Sequence, residues 1–379
     1  MIVAGEASGD LHGARLVTSM RTRMPDLQFC GIGGPELEKC GVELLYDASK
    51  IAVVGFFEVA THLNHILKAQ KTLRSRLSET RPKLLILIDF PDFNLLLARK
   101  ARKLGIPVFY YISPQVWAWR SGRVKTIEKL VDAIGVILPF EEQFYRERGV
   151  AATYVGHPLL DSVRADHDRE TFCRNNGLDA ANTLIGILPG SRIREVAALF
   201  PVFLEAALQY QQKSAVQPTF LVPCAPTIDA QTLYENGLSD YADRIDARII
   251  EDDRYSMMAS CAAVIAASGT VTLELLLLNT PAVVAYKLAP LTYRLGKLLV
   301  KIDYFSLVNL IASEPVVTEL LQHDASVDNI AGELDRLVHD QTRRKRIFAG
   351  YESVRKILGK RGASDKAAAL AMRVMEGNP

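Results

Sequence analysis

Residues 183–197 read Thr-Leu-Ile-Gly-Ile-Leu-Pro-Gly-Ser-Arg-Ile-Arg-Glu-Val-Ala, and this stretch decides the fold. Its first half is a short apolar run bounded by turn residues, which predicts a buried strand. Pro189 and Gly190 end the strand, and Ser191 stands where the N-cap of a following helix belongs. Free backbone N–H groups at such a helix start, together with Arg192, suit phosphate oxygens. The stretch therefore predicts either an anion-binding turn or an ordinary strand-to-helix turn with a solvated arginine.

A second turn of the same kind follows later in this half of the chain. The apolar run 262–266 leads into Ser268-Gly269-Thr270, and Glu274 lies one turn into the next predicted helix. Because both turns follow strands of one parallel sheet, they are expected to face one site. Glu274 is expected either to bind the hydroxyls of a ribose or to be an acid favoured by the helix dipole. Together the two turns favour phosphate binding more strongly than either does alone.

Strands and helices alternate through both halves of the chain, which predicts an α/β fold. The predicted strands lie at 2–4, 27–32, 84–88, 107–112, 133–138, 153–155, 183–188, 219–222, 247–250, 262–266 and 282–286. A chain of 379 residues exceeds the size at which one core stops growing. We therefore predict two Rossmann-like domains, 1–165 and 166–345, with parallel sheets facing a central cleft. Residues 346–379 are predicted to be C-terminal helices, and packing against the N-terminal domain is an open possibility.

Composition limits the classes of partner and compartment. The formal net charge of +2 gives no global field that would attract nucleic acid. Five cysteines, without metal-ligand spacing, suit a reducing compartment and a protein without a metal site. The opening residues read as a strand rather than a signal peptide, and no uncharged run reaches the ~18 residues of a membrane span. We expect a cytoplasmic protein whose membrane contact is peripheral.

Two polar clusters in the first half follow predicted strands. Ser8, Gly9 and Asp10 follow the first strand, and their spacing lacks the G-x-G-x-x-G pattern of a dinucleotide site. We expect them instead to belong, with Trp117 and Arg120, to the loops that bind the acceptor or the diphosphate. Asp89 follows the aliphatic run 84–88, and we expect its side chain to point into the ligand-binding cleft. Asp92 is expected to cap the helix that follows.

Both tryptophans of the chain fall in residues 113–120, Ser-Pro-Gln-Val-Trp-Ala-Trp-Arg. Trp117 is expected either to plug the edge of a core or to form a platform for a sugar or acyl chain. Arg120 would then be able to reach an anion.

His157, in the turn 156–158, is expected to cap backbone rather than to act as a catalytic base.

Two regions suggest either ordinary packing or contact with a lipid surface. The first is an apolar stripe followed by cations, which is typical of a core helix or of a helix lying in the membrane interface. Its members are Val53, Val54, Phe56, Phe57, Leu63, Ile66 and Leu67. The second is a run of basic residues between 343 and 361, which is either a solvated helix face or a surface attracted to anionic lipid.

Six motifs, taken in chain order, closely resemble bacterial lipid-A-disaccharide synthases. The resemblance runs from residue 1 to about residue 320, and Trp-Ala-Trp-Arg is its most specific part. The motifs are Gly-Glu-Ala-Ser-Gly-Asp at 5–10, Ile-Asp-Phe-Pro-Asp-Phe-Asn at 88–94, Ser-Pro-Gln-Val-Trp-Ala-Trp at 113–119, Leu-Pro-Gly-Ser-Arg at 188–192, Ser-Gly-Thr at 268–270 and Asp-Tyr-Phe-Ser-Leu-Val-Asn-Leu at 303–310.

The resemblance implies a glycosyltransferase of the GT-B fold. It would join UDP-2,3-diacylglucosamine to 2,3-diacylglucosamine 1-phosphate (lipid X), giving UDP and a β-1,6-linked disaccharide phosphate. By analogy with inverting glycosidases, such a product requires one in-line displacement. The resemblance makes Asp89 the key aspartate, Arg192 the phosphate-contacting arginine and Asn309 the UDP-site asparagine; from pattern alone, Asn309 is equally a turn-forming residue.

The same resemblance sets expectations for partners and leaves two competitors. No cofactor or metal is expected, the lipid substrates imply contact with the inner leaflet, and a homodimer is possible. The competing hypotheses are an enzyme like UDP-N-acetylglucosamine 2-epimerase and a non-catalytic lipid- or nucleotide-binding module.

Overall fold

The structure is a computed structural model that describes residues 1–51, 58–119, 121–225, 227–288, 293 and 302–378. The chain forms two compact units, and the first is discontinuous. It comprises Met1–Asp161 and Lys360–Pro379, whereas the second comprises Ser162–Gly359. The first boundary lies at residue 161 rather than at the expected 165. The second lies at 359 rather than at 345, because the helix Gln341–Leu358 belongs to the second unit.

The first unit contains a seven-stranded parallel sheet in the order β3-β2-β1-β4-β5-β6-β7. Its strands are β1 Ile2–Ala4, β2 Cys30–Gly33, β3 Glu43–Asp47, β4 Leu85–Ile88, β5 Val108–Tyr111, β6 Ala133–Val136 and β7 Ala152–Tyr154. The α-helices are Ala7–Arg23, Pro35–Lys39, Glu58–Thr80, Pro91–Lys103, Val116–Trp119, Val124–Leu130, Pro139–Arg146 and Ala363–Met375, and the 3₁₀ turns are Ala48–Lys50 and Ser121–Arg123. The short helix Leu159–Ser162 leads into the second unit.

The second unit contains a six-stranded parallel sheet in the order β10-β9-β8-β11-β12-β13. Its strands are β8 Leu184–Leu188, β9 Thr219–Pro223, β10 Asp246–Ile250, β11 Ala263–Ala267, β12 Ala282–Tyr286 and β13 Thr318–Leu321. The α-helices are Arg169–Asn175, Ile193–Lys213, Ala230–Glu235, Arg254–Ser260, Val271–Leu277, Leu307–Ala312, Val327–His339 and Gln341–Leu358, and the 3₁₀ turn is Leu238–Tyr241. Two Rossmann-like units are thus confirmed.

The central strands are apolar because helices cover both faces of each sheet. In β4, Leu85 and Leu87 belong to one core cluster, whereas Ile86 and Ile88 belong to the cluster on the opposite face. The final helix Ala363–Met375 contributes to that second cluster and packs against the helix Ala7–Arg23. In the described parts of the chain, no helix is both long and apolar enough to cross a bilayer.

Candidate active site

Two turns lie side by side at the carboxyl edge of the first sheet. The strands β1 and β4 pair in register up to Ala4 and Ile88, so the turns that follow them are neighbours. The glycine at position 5 permits this approach, because a Cβ there would lie 2.5 Å from the ring of Phe90. Ligands of open α/β sheets bind at this edge.

Asp89 has a strained backbone that neighbouring groups hold in place. Its φ angle of 43° lies in the left-handed region, which a non-glycine residue adopts at a cost of about 1–3 kcal/mol. Its N–H donates to the carbonyl oxygen of Ile112 at 3.1 Å, and its own carbonyl oxygen accepts from Asn94 Nδ2 at 2.7 Å and from the Tyr110 hydroxyl at 2.5 Å. These hydrogen bonds fix the backbone of a residue that lines the wall of a pocket.

The carboxyl group of Asp89 is poised for proton transfer near neutral pH. Burial and, to a lesser extent, the negative charge of Glu6 raise the pKa of Asp89 to about 6, against the lowering effect of the hydrogen bond from the Phe90 N–H. A carboxylate with this pKa is still ionised at neutral pH, yet it is a stronger base than an exposed aspartate.

The pocket beside Asp89 has a volume of about 260 Å³ and is formed by the first unit alone. Its walls carry both polar and charged side chains, together with apolar ones. The lining residues include Asp89, Ser113, Gln115, Arg123, Leu138 and Glu141. Arg123 forms an ion pair with Asp92, which is exposed. Asp92 is not the helix cap that the sequence predicts, because Phe90 holds the N-cap position and Asp92 lies in the first turn.

Trp117 directs its polar group into the protein. Its indole N–H donates to Glu141 Oε1 at 3.0 Å, and its ring meets that of Phe140 edge-on at 5.0 Å. Burial raises the pKa of Glu141 to about 7, although hydrogen bonds from Leu138 N–H and Trp117 lower it. These contacts favour the interpretation of Trp117 as a plug at the core edge. Arg120 lies outside the described residues.

Backbone N–H groups of the protein bind the carboxylate of Asp10. Its carboxylate accepts hydrogen bonds from the N–H groups of Gly34 at 2.7 Å, Glu36 at 2.9 Å and Leu37 at 3.2 Å. Only 2% of Asp10 is exposed, so it holds the start of the helix Pro35–Lys39 rather than facing a substrate. The placement of Asp10 in a substrate-binding loop is therefore corrected. Its neighbours Ser8, which is exposed, and Gly9, which is buried, lie in the first turn of the helix Ala7–Arg23.

His157 caps backbone, as the sequence predicts. Its Nδ1 accepts from the N–H of Leu159 at 3.2 Å. Burial, together with the neighbouring His12, lowers the pKa of His157 to about 3, so the ring stays neutral.

The two glycine turns of the second unit lie at one edge of its sheet, and that they face one binding site stays a prediction. The strands β8 and β11 pair through Leu188 and Ala266, and an added Cβ at Gly190 would lie 3.6 Å from Ala267. Gly190 has a φ angle of 117°, and the same Cβ would lie 2.8 Å from Glu195 Oε2. A side chain at position 190 is therefore disfavoured both by backbone strain and by crowding.

The helix Ile193–Lys213 begins one residue later than predicted, so its N-cap is Arg192 and not Ser191. A guanidinium has no acceptor atom, so Arg192 cannot cap the first-turn N–H groups. Its Nη1 instead donates to Glu195 Oε1 at 2.9 Å, and the side chain is 58% exposed. Ser191 is exposed, and its carbonyl oxygen accepts from the Thr227 hydroxyl. This helix start is available to an anion.

The turn after β11 brings Glu274 together with an arginine. Glu274 is 6% exposed and accepts from Arg254 Nη2 at 3.0 Å and from the Tyr255 hydroxyl at 3.3 Å. Burial raises the pKa of Glu274, whereas the charge of Arg254 lowers it. Gly269 and Thr270 are exposed, while the Ser268 hydroxyl donates to the Phe305 carbonyl oxygen at 3.0 Å.

The side chain of Asn309 is buried and hydrogen-bonded within its own part of the fold. It is 1% exposed, and its Nδ2 donates to the carbonyl oxygen of Val317 and to Glu319 Oε1, both at 2.9 Å. Its Oδ1 accepts from the N–H of Val317 at 2.9 Å. Hydrogen bonds within the protein thus occupy the amide, and the expectation that it reads a uracil edge or a phosphate stays a prediction.

The lipid-facing prediction is only partly within the described residues, since Val53, Val54, Phe56 and Phe57 lie outside them. Leu63 and Leu67 are exposed by 47% and 58%, whereas Ile66 packs against the core. Among the basic residues near the C-terminus, Arg343 pairs with Glu333 and Arg344 donates to backbone carbonyls, so both are used in the fold.

Three residues of these sites were not predicted from the sequence. Arg123, Glu141 and Arg254 reach their positions through contacts with residues distant in the chain. For Arg123, the one available signal was its place three residues after the Trp-Ala-Trp-Arg motif.

The two parallel sheets, with polar turns at their carboxyl edges, define a class of protein built from two Rossmann-like units. Solved structures with this fold include UDP-GlcNAc 2-epimerase from Neisseria meningitidis, at a TM-score of 0.65 and 11% identity, covering 99% of both chains. Another is MurG from Acinetobacter baumannii, at a TM-score of 0.61 and 14% identity, covering 98% of both chains. These likenesses establish the fold alone, that of GT-B glycosyltransferases and related epimerases.

Sequence comparison identifies the family within that class. The sequence profile described as "Lipid-A-disaccharide synthetase" matches residues 1–373. The lipid-A-disaccharide synthases of Geobacter sulfurreducens and Syntrophus aciditrophicus are each 46% identical, and the alignments cover 99% of this chain and 97% of each relative. The chain belongs to the lipid-A-disaccharide synthase family, whose members are glycosyltransferases.

Proposed function

We propose that the protein condenses UDP-2,3-diacylglucosamine with 2,3-diacylglucosamine 1-phosphate. The products are UDP and the β-1,6-linked disaccharide 1-phosphate of lipid A. Family membership over almost the whole chain supports the reaction class. The observation that carries the mechanism is the position of Asp89 in a pocket, with its backbone fixed and its pKa raised to about 6.

In this proposal Asp89 removes the proton from the 6-hydroxyl of the acceptor as its oxygen attacks the anomeric carbon of the donor. The bond from that carbon to the diphosphate breaks in the same step, so the α-linked donor gives a β-linked product. A positioned general base typically contributes about 10²–10⁴-fold to the rate. Asp10 is a poorer candidate, because three backbone N–H groups already occupy its carboxylate.

The second unit supplies the groups suited to the departing UDP. Arg192 and the positive end of the dipole of the helix Ile193–Lys213 would stabilise the negative charge that develops on the diphosphate. Glu274, with Arg254 beside it, would accept hydrogen bonds from the ribose hydroxyls. We assign charge stabilisation to these groups and propose that turnover requires no metal ion.

Both substrates carry acyl chains, so we propose that the protein works at the inner-leaflet surface while attached only peripherally. Leu63 and Leu67, exposed on the helix Glu58–Thr80, are suited to the hydrocarbon boundary. Exposed cations such as Lys345 and Arg346 are suited to anionic headgroups. A homodimer is compatible with this proposal but is not required by it.

The decisive experiment supplies both lipid substrates to the purified chain and measures disaccharide and UDP, with and without chelator. We expect equal amounts of both products, unaffected by chelator. Asp89→Asn is expected to lose about 10²–10⁴-fold in kcat. The matched control Asp26→Asn, at an exposed aspartate, should retain turnover. UDP release without disaccharide, or full activity of Asp89→Asn, would contradict the proposal.

The second candidate function is that of a UDP-N-acetylglucosamine 2-epimerase. It is suggested by the TM-score of 0.65 between this structure and the epimerase of Neisseria meningitidis. Its 11% identity supports the fold only, whereas two lipid-A-disaccharide synthases are each 46% identical to this chain. We expect no N-acetylmannosamine when UDP-N-acetylglucosamine is the sole substrate. Its formation would favour the epimerase.

A further inference from the structure

The pocket beside Asp89 contains a cation that the chemistry proposed above does not use. Arg123 lies on the wall of this pocket, and its side chain is only 22% exposed. Its position is fixed, because it precedes the helix Val124–Leu130, whose Val124 and Ile127 are buried in the core. A guanidinium held at a pocket wall is suited to an anionic substrate group.

The partner of Arg123 leaves the guanidinium accessible to a ligand. Asp92, with which it pairs, is 79% exposed. An ion pair with so exposed a partner is weakened by solvent, and a phosphate with up to two negative charges competes well for the same fork of donors. The arginine thus has a protein partner in the free enzyme and donors suited to a substrate anion.

Arg123 and Asp89 line the same pocket, and the charges of both act on the Tyr110 hydroxyl. Burial raises the pKa of Tyr110, and Asp89 raises it further, whereas Arg123 lowers it. The same hydroxyl donates to the carbonyl oxygen of Asp89. A ligand that reaches Asp89 in the pocket therefore lies within reach of the positive charge of Arg123.

Size decides which part of an acylated sugar occupies this pocket. A volume of about 260 Å³ suits one sugar ring with a phosphate. Pockets that enclose a whole drug-sized ligand are roughly 300–1,000 Å³, so long acyl chains must extend outside. In a hexosamine 1-phosphate, the carbons that bear the phosphate and the CH₂OH group both flank the ring oxygen. A base for the 6-hydroxyl and a cation for the phosphate must therefore line the same pocket.

We propose that Arg123 binds the 1-phosphate of the acceptor in the pocket that contains Asp89, and so makes the enzyme select a phosphorylated acceptor over a neutral one. This rests on the function proposed above and adds a specificity determinant to it. Arg192 and the helix starts of the second unit remain assigned to the donor's diphosphate.

The test compares two acceptors, 2,3-diacylglucosamine 1-phosphate and 2,3-diacylglucosamine, with saturating donor in detergent micelles. Arg123→Ala and Arg123→Gln are expected to lower kcat/KM for the phosphorylated acceptor by about 10- to 100-fold, mainly through KM. The value for the neutral acceptor should not change. Arg102→Ala is the matched control, because Arg102 also pairs with an aspartate, Asp132, in the same unit. It should keep the preference of the parent.

An equal loss with both acceptors would make Arg123 a structural residue, and no loss with either would remove it from the site. Melting curves of the two variants separate the first outcome from unfolding. If the parent forms no disaccharide, the proposed function fails, and direct binding then decides the phosphate site. We expect N-acetylglucosamine 1-phosphate to bind the parent but not Arg123→Gln, as measured by phosphorus NMR. Equal binding to both would overturn the proposal.

Discussion

At the scale of the residue, Asp89 combines properties that its neighbours do not share. Its left-handed backbone points the carboxyl group into a pocket, and burial keeps the proton affinity of that group high. Asp92, three residues on, is exposed and paired with Arg123. Asp89 and Asp92 thus differ in their environment although their side chains are identical, because Asp89 is largely buried at the end of a strand and Asp92 is exposed on a helix.

The raised pKa of Asp89 predicts opposite effects of pH on activity and on stability. Because the base must be ionised, kcat/KM should fall as the pH drops below about 6. The folded protein binds this proton more tightly than the unfolded chain, whose pKa is near 3.8, so Asp89 lowers the free energy of unfolding as the pH rises from about 4 to 6. We expect Asp89→Asn to gain about 1–3 kcal/mol relative to the parent across this range.

Urea unfolding of both proteins at pH 4, 5, 6 and 7 measures this difference. Subtracting one protein from the other removes the contribution of Glu141, which titrates near pH 7. A constant difference across the range would show that the pKa of Asp89 is not raised.

Sequence patterns locate polar residues at strand ends but do not reveal what those residues bind. Asp89 and Arg192 were predictable as site residues, because each follows a clear apolar strand. The roles of Asp10 and Asn309 were not, since Asp10 binds N–H groups 24 to 27 residues away and Asn309 binds groups 8 and 10 residues away. The hydrogen-bond partners of both side chains come from other elements of the fold, and a local sequence pattern does not predict them.

At the scale of the element, the helix Pro35–Lys39 depends on a carboxylate from another helix. Asp10 lies in the helix Ala7–Arg23 and accepts from three N–H groups near the start of the shorter helix. A helix of five residues is not stable by itself, so this bond set and its buried Leu37 hold it in place.

Replacing Asp10 with alanine should therefore destabilise the first unit. We expect a loss of about 2–3 kcal/mol in the free energy of unfolding, because buried N–H groups lose their acceptor. Chemical denaturation of the variant and of Asp26→Ala, the exposed control, measures the effect. A loss below that of the control would mean that the N–H groups find other acceptors.

The start of the helix Ile193–Lys213 gives a prediction for nucleotide binding. Arg192 is more than half exposed, and its partner among the described residues is Glu195 in its own helix start, so we expect its removal to leave the fold intact. We expect Arg192→Ala to weaken UDP binding by about 10-fold, while the backbone N–H groups retain part of the affinity. Calorimetric titration with UDP measures the change.

The matched control for this titration is Arg248→Ala, since Arg248 is similarly exposed and pairs with Asp246 in the same unit. It should bind UDP as the parent does. Unchanged affinity in Arg192→Ala would assign the diphosphate to other groups.

Sheet edges were harder to predict than sheet centres. The strands β3 and β13, which the sequence reading missed, both lie at an edge of their sheet. Their residues are mostly only partly buried and include acids such as Glu43 and Glu319, so neither forms the apolar run typical of a central strand. The central strands β4 and β8 are buried throughout and were predicted to within one residue.

At the scale of the whole molecule, the chain ends in the unit where it began. The final helix buries Leu370 and Val374 in the core of the first unit, and Asp161 accepts from the N–H groups of Gly362 at 2.7 Å and Ala363 at 3.0 Å. Sequence reasoning left open which helices return, because helix Gln341–Leu358 and the final helix are both amphipathic. The choice depends on complementary surfaces in the folded units.

The exposed leucines of the helix Glu58–Thr80 give the last prediction, which concerns membrane attachment. Leu63 and Leu67 are four residues apart, so they lie on one face of the helix, and more than two fifths of each is exposed. Changing both to serine removes apolar surface without opening the core, which is formed by Leu73 and Leu77 of the same helix. We expect weaker sedimentation with anionic vesicles and an unchanged melting temperature. Leu96→Ser is the control, since Leu96 is an exposed leucine on a different helix of the first unit. Vesicle binding equal to that of the parent would exclude this face from the membrane contact, whereas a lowered melting temperature would show that the two leucines contribute to packing.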